Sequence, residues 1–185
     1  MPEVTPICQF GTKAIPFTLE GIDKKTYNLD QIKGKNGTLV IFICNHCPYV
    51  KGVIDRLVKD IKDLQEKEIG CVAIMSNDVE NYPEDSFENM KKFAKKYNFE
   101  FPYLYDATQE TARIYQAVCT PEFYGFNRDL KLCYRGRIDS GVMNKNNEKV
   151  ERELFYAMEQ ISKNNIGPEI QFNSFGCSIK WKKNE

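Results

Sequence analysis

The sequence predicts a three-layer α/β/α domain, and three observations carry that prediction. Thr38 to Cys44 (TLVIFIC) is an almost uninterrupted apolar, β-branched run, as in a central strand covered on both faces. It leads into a segment where Val50, Ile54, Leu57, Ile61 and Leu64 recur at spacings of 4, 3, 4 and 3, one apolar helix face. A second apolar run, Cys71 to Met75, follows, and strands and helices keep alternating to a final hairpin and helix.

Taken in order, residues 1–15 read as a loose leader. Pro16 to Gly21 and Thr26 to Leu29 then form a short N-terminal β-pair joined through Gly21 to Lys25. The helix after Cys47 accepts Pro48 in its first turn, and Lys51, Asp55, Arg56, Lys59, Asp60 and Lys62 fill its polar side. A polar loop, Ser76 to Asp85, runs through Pro83, Glu84 and Asp85 into a helix over Ser86 to Tyr97. Phe101 to Tyr105 is a short strand and Gln109 to Gln116 a short helix. Glu122 to Phe126 and Lys131 to Arg135 make a hairpin around Asn127 to Leu130, which renders the sheet mixed. The last helix is expected over Glu148 to Ser162, with Val150, Leu154, Ala157 and Ile161 on one face. Residues 1–165 thus form one domain, and 166–185 a tail without strong periodicity on the same domain.

Composition narrows the function classes. Lys plus Arg is 26 and Asp plus Glu is 26, so nothing electrostatic favours DNA, RNA or anionic lipid. The longest apolar run, Leu39 to Cys44, is far too short to span a bilayer. Met1-Pro2-Glu3-Val4 lacks the basic start and long apolar region of an export signal, so the expected compartment is the reducing cytoplasm. There most of the seven cysteines remain thiols; seven is also odd, so at least one has no partner within the chain.

Position separates these cysteines. In α/β sheets the functional crevice lies beyond the carboxyl ends of the strands, where Cys44-Asn45-His46-Cys47-Pro48 falls. Cys47 begins the helix, facing unpaired N–H groups and the positive end of the dipole, and both favour the nucleophilic thiolate. The single histidine, His46, pushes the same way if it is protonated or donates a hydrogen bond. Cys44 reads equally as an inert strand end or as a redox partner of Cys47. Cys71 and Cys133 read as structural, and Cys8 carries no signal. Zinc is rejected despite the grouping of Cys44, His46 and Cys47, because no second closely spaced pair completes a structural site. Tyr82, Tyr103, Tyr105 and Tyr115 read as packing and surface aromatics.

A strand followed by Cys-Pro at a helix start resembles the thioredoxin-like superfamily. In that register the thioredoxin partner cysteine would fall at Val50, so the visible Cys44-x-x-Cys47 is displaced by three residues. Ile41 stands where thioredoxins keep a buried acid. Five longer blocks narrow the likeness: Asn45 to Lys51, Ser76 to Asp78, Tyr82 to Ser86, Phe101 to Asp106 and Tyr134 to Asp139. With the ending Gly176 to Lys182, they are similar to the peroxiredoxin-like redoxins, relatives of the alkyl-hydroperoxide-reductase and thiol-specific-antioxidant proteins. The resemblance implies that Val118-Cys119-Thr120-Pro121 is a cis-proline loop, with Thr120 and Pro121 lining the substrate groove beside Cys47. Cys119, beside that loop, reads as the alternative resolving thiol, and Cys177, in the family-like tail, reads as a long-range partner or at least equally as a free surface thiol. A peroxiredoxin of this kind carries Pro-x-x-x-Thr-x-x-Cys; with Cys47 as nucleophile, Val40 and Cys44 stand at its proline and threonine.

The function expected is therefore a thiol–disulfide oxidoreductase. Cys47 attacks, Cys44 or else Cys119 resolves, and His46 tunes the thiolate. Its substrate is a protein or small-molecule disulfide, its reductant a dithiol protein or small thiol, and it needs no bound cofactor. The two departures from the peroxidatic motif make a hydroperoxide-consuming peroxidase the second reading, and a redox-sensing or binding module without turnover the third.

Overall fold

In the computed structural model, residues 2–4, 9–141, 143 and 150–183 are described. Cys8 lies outside them. A seven-stranded mixed sheet is assembled from β2 (Thr18–Gly21), β3 (Thr26–Asn28), β4 (Gly37–Phe42), β5 (Ile69–Met75), β6 (Tyr103–Tyr105), β8 (Glu122–Phe126) and β9 (Leu132–Gly136). Its order is β3-β2-β6-β5-β4-β8-β9, with β4, β5 and β6 parallel and the other neighbours antiparallel.

Alternation along β4 builds the layers. Leu39 and Ile41, continued by Ile43 beyond the strand, face one side, where α2 (Pro48–Gln65), α3 (Phe87–Lys96) and α5 (Glu153–Asn164) cover them. Val40 and Phe42 face the other, over α1 (Leu29–Ile32) and α4 (Glu110–Ile114). The helical spacing foreseen for α2 holds, since Val50, Ile54, Leu57, Ile61 and Leu64 are all buried. The fold is thioredoxin-like: α/β/α with a central mixed sheet and an N-terminal β extension.

Two expectations need correction. The leader is not loose where it is described: Pro2–Val4 forms β1, and Lys13 makes a bridge with Lys131. The tail, without periodicity as expected, nevertheless holds a strand, β10 (Phe175–Ser178). β10 lies at the centre of a second sheet, antiparallel to β1 on one side and to β7 (Cys119–Thr120) on the other. Both segments owe their structure to partners distant in sequence, which local periodicity does not report. Finally, the last helix starts at Glu153 rather than Glu148; residues 144–149 lie outside the described set, and Glu151 is held instead by hydrogen bonds exchanged with Ser140. No helix among the described residues is long and apolar enough to cross a membrane.

Candidate active site

β4 delivers the chain to Cys44, and the turn through Asn45 and His46 places Cys47 as the N-cap of α2, with Pro48 behind it. Cys47 makes no side-chain capping bond, so its sulfur is left to other donors. As a thiol it donates to the Thr120 carbonyl at 3.2 Å. Its pKa is pushed down to about 5, first by a hydrogen bond from the Cys44 thiol. Burial opposes this, while the Val50 N–H, the Thr120 side chain and the Cys177 N–H reinforce it.

Cys44 pays the converse price. Donating to Cys47, lying in the interior and facing the Asp85 charge all hold its own pKa well above the ordinary thiol value. Its sulfur also lies 3.4 Å from Thr120 Oγ1, so a hydroxyl from β7 reaches the pair. The Thr120–Pro121 bond is cis.

Asp85, fully buried at 0% exposure, organises the turn. Its Oδ1 accepts from the backbone N–H groups of Asn45 (2.7 Å) and His46 (3.2 Å). Its Oδ2 meets Asn77 Nδ2 at 2.8 Å and His46 Nδ1 at 2.6 Å. Burial alone would raise this carboxyl, but the His46 and Asn77 hydrogen bonds and the His46 charge hold it below the ordinary value. In return the Asp85 hydrogen bond raises His46, against a burial effect that would lower it, with help from the charges of Asp85 and Cys47. His46 also stacks on Tyr82, and Tyr103 donates to Asn45 Oδ1 at 3.0 Å.

The opposite wall is fixed by a buried ion pair. Glu122 Oε2 accepts from the N–H groups of Val118 (2.8 Å) and Cys119 (3.4 Å). Its Oε1 accepts from Arg135 Nε (2.8 Å), Arg135 Nη2 (2.6 Å) and the Tyr124 hydroxyl (2.8 Å). Beside Pro121 lies a cavity of about 290 Å³, walled by Tyr49, Val53, Phe123, Ile138 and Phe175.

The fold thus brings Cys44, His46, Cys47, Thr120 and Pro121 to one place. Cys119 is buried nearby with its sulfur directed to the Pro121 carbonyl (3.9 Å), and burial pushes its pKa up. Cys71 is interior and raised by burial, and Cys133 bonds the Lys131 carbonyl at the periphery. For a metal, Cys44, His46 and Asp85 each offer one ligand atom within 4.8 Å of the others. The His46–Asp85 contact at 2.6 Å is a hydrogen-bonded pair, whose shared proton an ion would have to displace.

Sequence reasoning missed Asp85, Asn77, Glu122 and Arg135 as site residues. The signal was present, since Ser76 to Asp78, Tyr82 to Ser86 and Tyr134 to Asp139 are among the blocks that carry the resemblance, although Glu122 lies outside them.

Comparison with solved structures gives two full-length likenesses. An uncharacterized conserved protein from Geobacillus kaustophilus is 43% identical over 100% of this chain and 98% of its own, with a TM-score of 0.95. A hypothetical protein, SMc02350, from Sinorhizobium meliloti 1021 is 32% identical over 98% and 99%, with a TM-score of 0.93. A secreted Mycobacterium tuberculosis disulfide oxidoreductase homologous to E. coli DsbE shares the fold at 20% identity, 63% and 79% coverage and a TM-score of 0.54. No curated protein matches. The AhpC/TSA family model matches residues 10–138, from Phe10 in the leader through the thiol pair, the Asp85 turn and the cis-proline loop. On that match the chain belongs to the AhpC/TSA family.

Proposed function

We infer that the protein is a thiol–disulfide oxidoreductase whose nucleophile is Cys47. One observation carries the reading: Cys47 stands as the N-cap of α2 with its sulfur 3.2 Å from the Thr120 carbonyl, next to the cis Thr120–Pro121 bond, in surroundings that push its pKa down to about 5. A thiolate so stabilised is present at neutral pH and is also a good leaving group. The step is R–S–S–R′ + Cys47–S⁻ → Cys47–S–S–R + R′–S⁻, so the substrate is reduced and Cys47 oxidised. Thr120 holds the Cys47 sulfur through its carbonyl, and the cavity lined by Pro121 accepts apolar groups of a protein or small-molecule disulfide. His46, whose pKa the Asp85 hydrogen bond raises, tunes the thiolate when it is protonated. Electrons come from a dithiol protein or a small thiol, with no bound organic cofactor, and the working compartment is the reducing cytoplasm.

A second reading, thiol peroxidase, has its own support. Cys44 stands at the family's threonine position and hydrogen-bonds Cys47, and Thr120 Oγ1 at 3.4 Å from Cys44 brings a hydroxyl to the site from another strand. There Cys47–S⁻ + ROOH gives Cys47–SOH and RO⁻, which takes up a proton to leave as ROH. Disulfide reduction and thiol-dependent hydroperoxide consumption, measured side by side on wild type, Cys44→Ser and Cys47→Ser, test both. The first reading requires disulfide reduction that Cys47→Ser abolishes. Hydroperoxide turnover alone transfers the assignment to the second, and no turnover by folded protein in either assay leaves a redox-sensing module.

A further inference from the structure

Cys47 is buried at 0% exposure, and the C-terminal strand packs beside it, with Phe175 edge-on to Tyr49 at the start of α2 and Cys177 paired with Thr120, whose carbonyl accepts from the Cys47 thiol. β10 runs antiparallel to the strand before Pro121, pairing Cys177 with Thr120 and Ser178 with Cys119, and Ile179 N–H extends the ladder to the Val118 carbonyl at 3.0 Å. The approach is close: a Cβ added at Gly176 would stand 2.0 Å from the Thr120 carbonyl oxygen. The residue after that glycine is a cysteine. It pairs in register with Thr120, whose carbonyl accepts from the Cys47 thiol at 3.2 Å, and its side chain packs on the apolar cluster that includes Cys47. β10 therefore lies as an extended polypeptide would lie against the cis-proline strand, with a sulfur presented to the nucleophile.

Cys177 differs from the other two thiols near the site. Cys44 is pinned in the turn by the bonds from Asn45 and His46 to Asp85, faces that carboxylate, and already serves as a donor to Cys47. Cys119 is buried with its sulfur turned to the Pro121 carbonyl. Cys177 is only half-buried and sits on a strand four residues long; burial and the neighbouring Cys47 push its pKa up to about 11 against the charge of Lys180, so it is held as a thiol. The Lys180 Nζ is itself held by Ser178, at 2.9 Å from its carbonyl and 3.0 Å from its hydroxyl.

We propose that Cys177 is the partner thiol of Cys47, and that β10 is an internal substrate which closes a Cys47–Cys177 disulfide over the active site. The proposal rests on Cys47 being the nucleophile. The step is Cys47–S–S–R + Cys177–SH → Cys47–S–S–Cys177 + R–SH: the Cys47–R bond breaks, the Cys47–Cys177 bond forms, and the proton of Cys177 leaves on R. Two protein thiols are oxidised in all, and the disulfide substrate R–S–S–R′ is reduced to two thiols. The disulfide fixes β10 on β7 until an external thiol reopens it, so oxidised protein is closed to a second substrate.

The test treats wild type, Cys44→Ser and Cys177→Ser with oxidised glutathione, traps free thiols with an alkylating agent, and maps disulfides by mass spectrometry without reduction. The expected result is a Cys47–Cys177 crosslinked peptide in wild type and Cys44→Ser. Cys177→Ser should lose that crosslink and instead accumulate glutathione on Cys47. A Cys44–Cys47 or Cys47–Cys119 crosslink as the main wild-type product overturns the proposal while leaving Cys47 as nucleophile. So does glutathione persisting on wild-type Cys47 as it does in Cys177→Ser. Failure of glutathione to react with Cys47 in any of the three proteins overturns the nucleophile itself.

Discussion

Two sulfurs three positions apart receive opposite chemistry from their surroundings. Cys47 gains donors at a helix start, and Cys44 gains an acceptor and a nearby carboxylate, so one proton shared between them resides on Cys44. The alkylation rate of Cys47 should therefore rise to half its plateau near pH 5, where an ordinary thiol would do so at about 8.5. Cys44→Ala should shift that midpoint upward, and Cys44→Ser, which keeps a donor, should shift it less. Stability follows the same sign. With its folded pKa depressed, Cys47 stabilises the fold above the ordinary thiol value and loses that contribution as pH falls through about 5. Asp85→Asn is expected to lower the His46 pKa, read by NMR titration, and to cost about 2–4 kcal/mol in urea unfolding, because donors around a buried carboxylate lose their acceptor. The cost has a pH window. The raised His46 contributes fully below its ordinary value and loses the contribution as pH rises through its folded value. The depressed Asp85 loses its share as pH falls through its own folded value.

Secondary-structure elements divide by where their stability originates. β4 and α2 were legible because each displays its partner's demand in its own pattern: unbroken Leu39 to Phe42 for a two-sided strand, Val50 to Leu64 for a one-sided helix. β10 was not, since four residues with a glycine and a serine carry no period. Its place is set by β1, β7 and the fit of Gly176 to Thr120. Asp85 sits in a 3₁₀ turn at Pro83–Asp85, and its bonds reach back 40 and 39 residues to Asn45 and His46, beyond any local reading. Glu122 and Arg135 read as the polar ends of a hairpin, yet they form an ion pair with side-chain exposures of 0% and 5%. Two outcomes follow for the elements. Gly176→Ala should destabilise the packing of β10 by about 1–3 kcal/mol, seen as faster amide exchange at Ile179 and faster alkylation of Cys47. Arg135→Met leaves the Glu122 carboxylate buried without its cation and should cost about 3–5 kcal/mol in urea unfolding, with a loss of disulfide reduction as the cis-proline loop slackens.

For the molecule as a whole, Cys47 and the strand beside it belong to different sheets. The seven-stranded sheet and α2 hold Cys44 and Cys47, while the three-stranded sheet holds Thr120 and Cys177. Asn77 joins the two: its Oδ1 accepts from Lys180 N–H at 2.9 Å and its Nδ2 donates to Asp85 at 2.8 Å. Arg113 against Trp181 and Gln109 bonded to Lys180 and Lys182 secure the same tail from α4 and the residue before it. The ladder between β1 and β10, with Pro2 opposite Cys177 and Glu3 opposite Gly176, has a further consequence. It makes β10 an interior strand, so when β10 leaves β7 either β1 moves with it or a second ladder parts as well. Residues 2–4 thereby enlarge the unit that has to move before the Cys47 sulfur meets solvent.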